Sequence, residues 1–295
     1  MTIRITAASA AGLSIWLAAA GAALAADAPA PTPPDKSGYT VFNPTPDADL
    51  RSLCTDRPTK STGPCTVDAG HWQLEADVYN ITSQTAGGVT TVTQVFTNPT
   101  LKLGATNTLD LEINVAPYEQ VSTHDSATGV TQTADGVGDL FLKAKLSLLG
   151  DDGGNVGMAL EPYVKVPTAP AGVGNGEVEG GVIAPLSFSL PMNWQLVIDP
   201  EADVLANAAG PGRHLNTSGL LSFGYPATKT VTVSLEIWGD ANFDPSGDVY
   251  QASADFGAAW IPANAPTFQL DGGVNLGLNR ATPGVQAYAG VSQRF

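Results

Sequence analysis

Acidic side chains recur at every second position of one short run after another: Glu75 and Asp77, Asp110 and Glu112, Asp139, Glu161, Glu177 and Glu179, Asp199, Glu201 and Asp203, Glu236, Asp255 and Asp271. A spacing of two puts such neighbours on one face of a strand. Against them on the same faces stand Lys143, Lys145, Lys165 and Arg294. Rings of carboxylates around a wet passage attract cations and repel anions. Glycoside hydrolysis is the other chemistry that paired acids suggest, but it needs two carboxylates opposed across a sugar. Glu177 with Glu179, or Glu201 with Asp203, are same-face neighbours and do not meet that need. In His214-Leu215-Asn216-Thr217-Ser218-Gly219 a base and a hydroxyl share one face, the minimum for an activated nucleophile. The run Asp240 to Asp248 has acidic spacing that could catch a cation, yet it lacks the distal Glu of a calcium loop. His71 and His124 stand alone. No catalytic residue, metal ligand or cofactor is expected, and the acids are expected to line a lumen.

The elements that carry these side chains alternate apolar and polar residues. Trp72, Leu74, Ala76 and Val78 oppose Gln73, Glu75, Asp77 and Tyr79, and Val231, Val233, Leu235 and Ile237 oppose Thr232, Ser234 and Glu236. This period of two is the strand signal. About twelve such runs follow one another, near 70–81, 88–102, 107–117, 138–149, 156–167, 177–189, 194–206, 214–225, 229–240, 249–261, 267–278 and 284–295, each the length of a tilted membrane strand. A soluble sandwich would show the same alternation. Three features favour a barrel in a membrane. Ionisable residues sit at mid-strand. Connections alternate between short ones, such as Gly104 to Thr106 and Pro226 to Thr228, and longer ones, notably Pro117 to Gly136 and Thr168 to Gly176. The aromatics Trp72, Phe188, Trp194, Phe223, Tyr225, Trp260, Phe268 and Phe295 gather at one end, as an interfacial girdle requires. The fold expected is all-β, an antiparallel transmembrane β-barrel of about twelve strands with an irregular N-terminal segment. Pro162, Pro185 and Pro200 fall inside expected strands, where each removes a ladder donor.

Ahead of the strands lie three segments without such a pattern. Residues 1–25 read as a secretory signal peptide, with Arg4, an apolar run from Ala7 to Leu24 and Ala23-Leu24-Ala25 at its end. Residues 26–69 begin as a proline-rich tether, then hold both cysteines, Cys54 and Cys65. In an exported chain these are expected as a disulfide, closing a small loop that stabilises by roughly 2–3 kcal/mol and suits a fixed plug. Residues 70–295 form the barrel. The 295-residue chain has 13 basic and 28 acidic residues, a net charge of −15, which argues against a nucleic-acid partner. After the leader no apolar run is long enough for a membrane helix.

Several stretches together resemble the phenol-degradation (MetA-pathway) transporter-like outer-membrane family. They are Thr55-Asp56-Arg57-Pro58, Thr66-Val67, Gly70-His71-Trp72-Gln73-Leu74-Glu75, Gly136-Val137-Gly138-Asp139-Leu140 with Lys143, Leu148-Leu149-Gly150-Asp151-Asp152, and Pro162-Tyr163-Val164-Lys165-Val166-Pro167. The resemblance implies a barrel in the bacterial outer membrane that moves small compounds, aromatic ones among them, and it brings no catalytic residues. The terminal strand ending in Phe295 resembles the signal by which such barrels are recognised for insertion, so insertion machinery and outer-membrane lipid are expected partners beside a small-molecule solute. The His214 stretch resembles the motif of outer-membrane phospholipase A, but Asn216 stands at the nucleophile's place and Ser218 lies two residues on. The expected function is a channel or porter with a cation-preferring lumen lined by Glu75, Asp77, Asp110, Glu112, Asp139, Lys143, Lys145, Glu161, Lys165, Asp199, Glu201, Asp203, Glu236 and Arg294. The alternatives are a closed barrel with a structural or surface role and, last, a lipid-active enzyme.

Overall fold

The computed structural model describes residues 35–295, so the expected leader and the start of the proline-rich stretch lie outside the described residues. Fifteen strand segments follow in order: β1 (Trp72–Ala86), β2 (Val89–Thr106), β3 (Leu109–Asn114), β4 (Tyr118–Asp125), β5 (Thr131–Gly136), β6 (Leu140–Leu149), β7 (Val156–Val166), β8 (Glu179–Ile183), β9 (Leu186–Ser189), β10 (Gln195–Ala206), β11 (Arg213–Pro226), β12 (Val231–Asn242), β13 (Val249–Trp260), β14 (Phe268–Gly277) and β15 (Val285–Arg294). All pairings between these strands are antiparallel, and β1 pairs with both β2 and β15, which closes the sheet. The couples β3–β4, β5–β6 and β8–β9 each continue one stave across a short interruption, because β2 pairs with both β3 and β4 and β10 with both β8 and β9. Fifteen segments less three interruptions leave a closed barrel of twelve staves, the number read from the alternation.

The alternation is turned inside out relative to a soluble domain. Among the described residues the buried hydrophobics are Val67, Ala69, Ala76, Ala116, Ala159, Leu220 and Ala259, whereas Glu75, Lys102, Asp110, Lys145, Glu161, Glu236 and Asp255 are all buried. Outward-facing Leu111, Ile113, Leu142, Val164, Leu221, Leu235, Ile237 and Phe256 are exposed and form an apolar belt, the surface that a membrane barrel offers to lipid. Trp72, Trp194, Phe223, Trp260 and Phe295 are exposed at the rim that also holds both ends of the barrel chain, here called the terminal rim. There Trp194 stacks on Tyr225 at 4.8 Å, and Phe295 donates its N–H to the Trp72 carbonyl at 2.8 Å.

Three expectations are corrected, and a fourth in part. Residues 117–136 are not a loop but a hairpin of β4 and β5 that prolongs two staves, since β4 continues the ladder with β2 from Tyr118 to Asp125. Connection length does not separate the rims: the far rim has the longest connection, residues 167–178, but also the two-residue Gly87-Gly88 turn. Tyr79 leaves the face of Gln73, Glu75 and Asp77, because the register shifts between Asp77 and Tyr79 and its ring stacks on Phe96 at 5.1 Å. Pro162 and Pro200 do lie within β7 and β10; the β6–β7 register skips Ala144 and Lys145 opposite Glu161 and Pro162, and Pro185 marks the break between β8 and β9.

The segment before β1 is irregular apart from a 3-10 turn at Asp47–Asp49. Its residues 36–45 sit at the terminal rim, where Thr40 bridges to Thr106 and Asn107 donates to the Lys36 carbonyl at 3.0 Å. Cys54 and Cys65 form the expected disulfide. Between and around them, residues 51–67 reach wall residues on β1, β2, β3, β6, β10, β12, β13 and β14, which only a segment inside the barrel can do. Gly257 makes room for it: a Cβ there would stand 2.8 Å from Pro58 Cγ and 3.0 Å from Thr59 Cγ2. A Gly257→Val variant is therefore expected to push this corner inward at about 1–3 kcal/mol. Faster tryptic cleavage at Lys60 would report it; cleavage unchanged from wild type would contradict the close approach.

Candidate functional site

The inward positions divide into two halves of different chemistry. In the first half, built by β1, β2, β3, β6, β7 and β14, the wall charges other than Asp110 are ion-paired. Lys145 lies 2.6 Å from Asp56 and 3.2 Å from Glu161, and Lys143 reaches Glu161 at 3.1 Å. Lys102 pairs with Asp56 and, at 2.8 Å, with Glu75. Glu112 faces the same two lysines at 3.9 and 4.0 Å. Arg57 bridges Asp77 at 2.6 Å and Asp271 at 2.7 Å. Asp110 accepts the Val67 N–H, and Asp151 accepts from Thr66 and pairs with Arg51 at 2.5 Å. Buried charge is tolerated only when it is paired and hydrogen-bonded, and here the N-terminal segment supplies the partners.

Electrostatics follow from this packing. Burial alone would raise the Asp56 carboxyl, but Lys102 and Lys145 outweigh it and hold the group below the ordinary carboxylate range. Burial likewise opposes the charge on Arg57, and Asp271 and Asp77 outweigh it, so its guanidinium is held above its usual value. Oxygens of Asp56, Glu112 and Glu161 come within 4.8 Å of one another, a spacing that could hold a metal ion. The ammonium groups of Lys102 and Lys145 already occupy that role.

The second half, built by β8 and β10 to β13, keeps its acids largely unpaired. Asp199 accepts the Thr62 N–H at 2.5 Å, and Glu236 accepts the N–H groups of Lys60 and Ser61, each at 3.2 Å. Tyr163 donates to Asp203 at 2.7 Å and Ser218 to Glu201 at 3.0 Å; Asn216 donates to Asp240 at 2.7 Å. Among the described residues the one Lys or Arg ion pair at mid-lumen here is Lys60 with Asp255, 2.6 Å. Lys60 also lies 4.8 Å from the inward ring of Trp238. Three cavities occur along this half. One of 430 Å³ opens beside the Cys54–Cys65 loop near the terminal rim, one of 150 Å³ lies between Lys60, Thr62, Asp199, Glu201 and Trp238, and one of 480 Å³ lies at the far rim between Glu179, His214, Asp240 and Asp244. Cavities of 130 and 190 Å³ flank Arg57 and Lys102 on the paired side.

The structure thus brings Glu75, Asp77, Asp110, Glu112, Lys143, Lys145 and Glu161 together on one side, and Asp199, Glu201, Asp203 and Glu236 on the other. Lys165 and Asp139 pair towards the far rim at 3.2 Å, with Glu179 at 2.7 Å. Arg294 is at the terminal rim, donating to the Arg51 carbonyl at 2.7 Å. Glu177 is not on the wall: it lies in the connection before β8 and pairs with exposed Arg213. His214 and Ser218 face inward but are not bonded to each other, since His214 turns to Asn207 and Asp244 and Ser218 to Glu201. Sequence reasoning missed Arg51, Asp56, Arg57 and Lys60 as lumen residues, and Tyr163 and Trp238 on the wall. The available signal was three cations in one short segment of a strongly acidic chain.

Comparison with known proteins places this geometry. The family described as "Putative MetA-pathway of phenol degradation" matches residues 55–295. An outer membrane channel from Pseudomonas putida F1 superposes with a TM-score of 0.61 at 15% identity, over 76% of this chain and 95% of that one, a likeness of fold. The transport unit of the autotransporter AIDA-I from Escherichia coli superposes at 0.48 with 12% identity, over 76% and 89% of the two chains. No curated protein matches the sequence.

Proposed function

Because the chain belongs to the MetA-pathway phenol-degradation family and is a bacterial outer-membrane β-barrel of the channel and transporter type, we propose that it passes small solutes along the unpaired half of its lumen. The observation that carries this reading is the series of three cavities beside β8 and β10 to β13, from the terminal rim to the far rim. The opposite half is fastened to the N-terminal segment and supplies rigidity. Of the wall acids, Asp199 and Glu201 line the middle cavity beside Lys60 and Asp240 lines the far one, so the field of their ionised carboxylates favours cations. Aromatic compounds are the solute class that the family's name suggests, and Trp238 and Tyr163 are the inward rings that would meet them. The apolar belt meets outer-membrane lipid, and no catalytic role is assigned to Ser218 or His214. The test is swelling of liposomes holding the purified full chain, with benzylammonium, benzyl alcohol and benzoate as solutes of similar size. Entry is expected in that order, the cation fastest. Equal failure of all three solutes would overturn the reading.

A second reading, a closed barrel with a surface or structural role, is favoured by the ion pairs of Asp56 and Arg57, which fix the segment across the lumen. Swelling by any of the three solutes contradicts it.

A further inference from the structure

The 480 Å³ cavity at the far rim has a feature that a passive vestibule does not need. His214 stands at the start of β11 with its side chain 5% exposed. Its Nδ1 lies 3.1 Å from Asn207 Oδ1 and 3.3 Å from an Asp244 carboxylate oxygen. Asn207 donates its amide nitrogen to the Pro211 carbonyl at 3.1 Å, which fixes its oxygen towards the ring. Both neighbours of Nδ1 are therefore acceptors, and the neutral imidazole must carry its proton there. Nε2 is left as a lone-pair acceptor, buried and without a partner, on a residue that lines the cavity.

The rest of the lining has the same polarity. Asp240 accepts from Asn216 and has no Lys or Arg partner among the described residues. Asp244 accepts from Ser246 and from the Ala208 N–H, and it also accepts from the protonated Nδ1 of the neutral His214 ring. So His214 Nε2 and the carboxylates of Asp240 and Asp244 border one cavity without a Lys or Arg partner of their own, whereas the third lining carboxylate, Glu179, is taken up by Lys165. They do not close on a bare metal ion: among the described residues the group that draws three such ligand atoms within 4.8 Å is Asp56, Glu112 and Glu161 in mid-lumen. Leu205 and Val249 add apolar surface to the same cavity. A ligand that answers this set carries several N–H donors, a positive charge and a short hydrocarbon. A neutral hydroxyl would satisfy Nε2 but leave both carboxylates without a counter-charge.

We infer that the far-rim cavity is a binding site for small primary organic ammonium ions, held by His214 Nε2 and the Asp240 carboxylate, with Asp244 fixing the ring. The inference rests on the reading of the barrel as a solute channel and names the solute class of its far mouth. It is tested by calorimetry on the full chain in detergent micelles at pH 8, with benzylammonium and the equally sized neutral benzyl alcohol as probes. Benzylammonium is expected to bind wild type, and benzyl alcohol about tenfold more weakly or less, the difference one charge-assisted hydrogen bond makes. His214→Phe and Asp240→Asn are each expected to weaken benzylammonium by about tenfold; folding of both variants is checked by circular dichroism, and either folded variant suffices. Absence of benzylammonium binding, equal binding of the alcohol, or full affinity in a folded variant would overturn the site. Binding is measured without transport, so its failure is distinct from failure of conduction.

Discussion

An Asp56→Ala variant is expected to lose its hold on the N-terminal segment. Asp56 is the shared partner of Lys102 and Lys145, whose side chains are 5% and 0% exposed. Removing one member of a buried ion-pair network leaves uncompensated charge and costs about 3–5 kcal/mol. Glu75 and Glu161 keep contact with the lysines, so the lower end of that range is expected. Without this anchor the corner that carries Lys60 is held by Arg57 with Asp77 and Asp271 and by Lys60 with Asp255, and it is expected to open more often. Limited trypsin digestion at Lys60 is the measurement: wild type is expected to resist and the variant to be cut. Equal resistance would mean that Asp56 is not an anchor of the segment and that the remaining pairs of Arg57 and Lys60 suffice. The pH dependence has a fixed sign. Because the folded Asp56 carboxyl is depressed, its contribution is complete above the unfolded carboxylate value of about 3.9 and fades as pH falls below it. Protection of the wild-type segment against pepsin should therefore weaken below about pH 4, and less so in the variant.

The second large effect is expected on selectivity. Replacing Glu201 by Gln, Asp203 by Asn and Asp240 by Asn together removes three charges from the unpaired half while keeping side-chain shape and the hydrogen bonds from Tyr163, Ser218 and Asn216 within reach. The summed field of these acids is the proposed source of cation preference. Under a salt gradient the reversal potential of the triple variant is expected to collapse towards zero, while Glu177→Gln, at the exposed Arg213 pair, leaves it unchanged. A triple variant as cation-selective as wild type would place the selecting charges elsewhere.

The stave count was readable because both faces of every stave have opposite solvents, lipid outside and polar interior inside. That contrast writes itself as alternation, as in Leu109, Leu111 and Ile113 against Asp110, Glu112 and Asn114. The register of the inward acids was readable for the same reason. The hairpin of β4 and β5 was not, because its residues Tyr118 to Gly136 rise past the apolar belt and no longer need an apolar face. Tyr79 was misplaced because a single bulged residue flips every position after it, and bulges leave little trace in composition.

The division of the lumen into paired and unpaired halves could not be read from the barrel strands alone. It is set by where residues 51–67 come to rest. Thr55-Asp56-Arg57-Pro58 and Thr66-Val67 stood out as family-like stretches without a physical role. The structure supplies one: Asp56 and Arg57 meet the wall charges, and Thr66 and Val67 cap Asp151 and Asp110. The stretch around Tyr163 and Lys165 likewise gains a role, in donors to Asp203 and Glu179. Such pairs reach as far as Thr66 and Asp151, 85 positions apart, and Asp56 and Lys145, 89 apart, and one sequence carries no record of them.

The most direct measurement is single-channel conductance of the purified chain in a planar bilayer under a salt gradient, beside a chain lacking residues 35–66. Small stepwise openings with a cation-favouring reversal potential are expected from the full chain, and severalfold larger steps from the shortened one. Silence from both folded chains would contradict a channel of any kind, and steps of equal size would contradict a lumen constricted by its N-terminal segment.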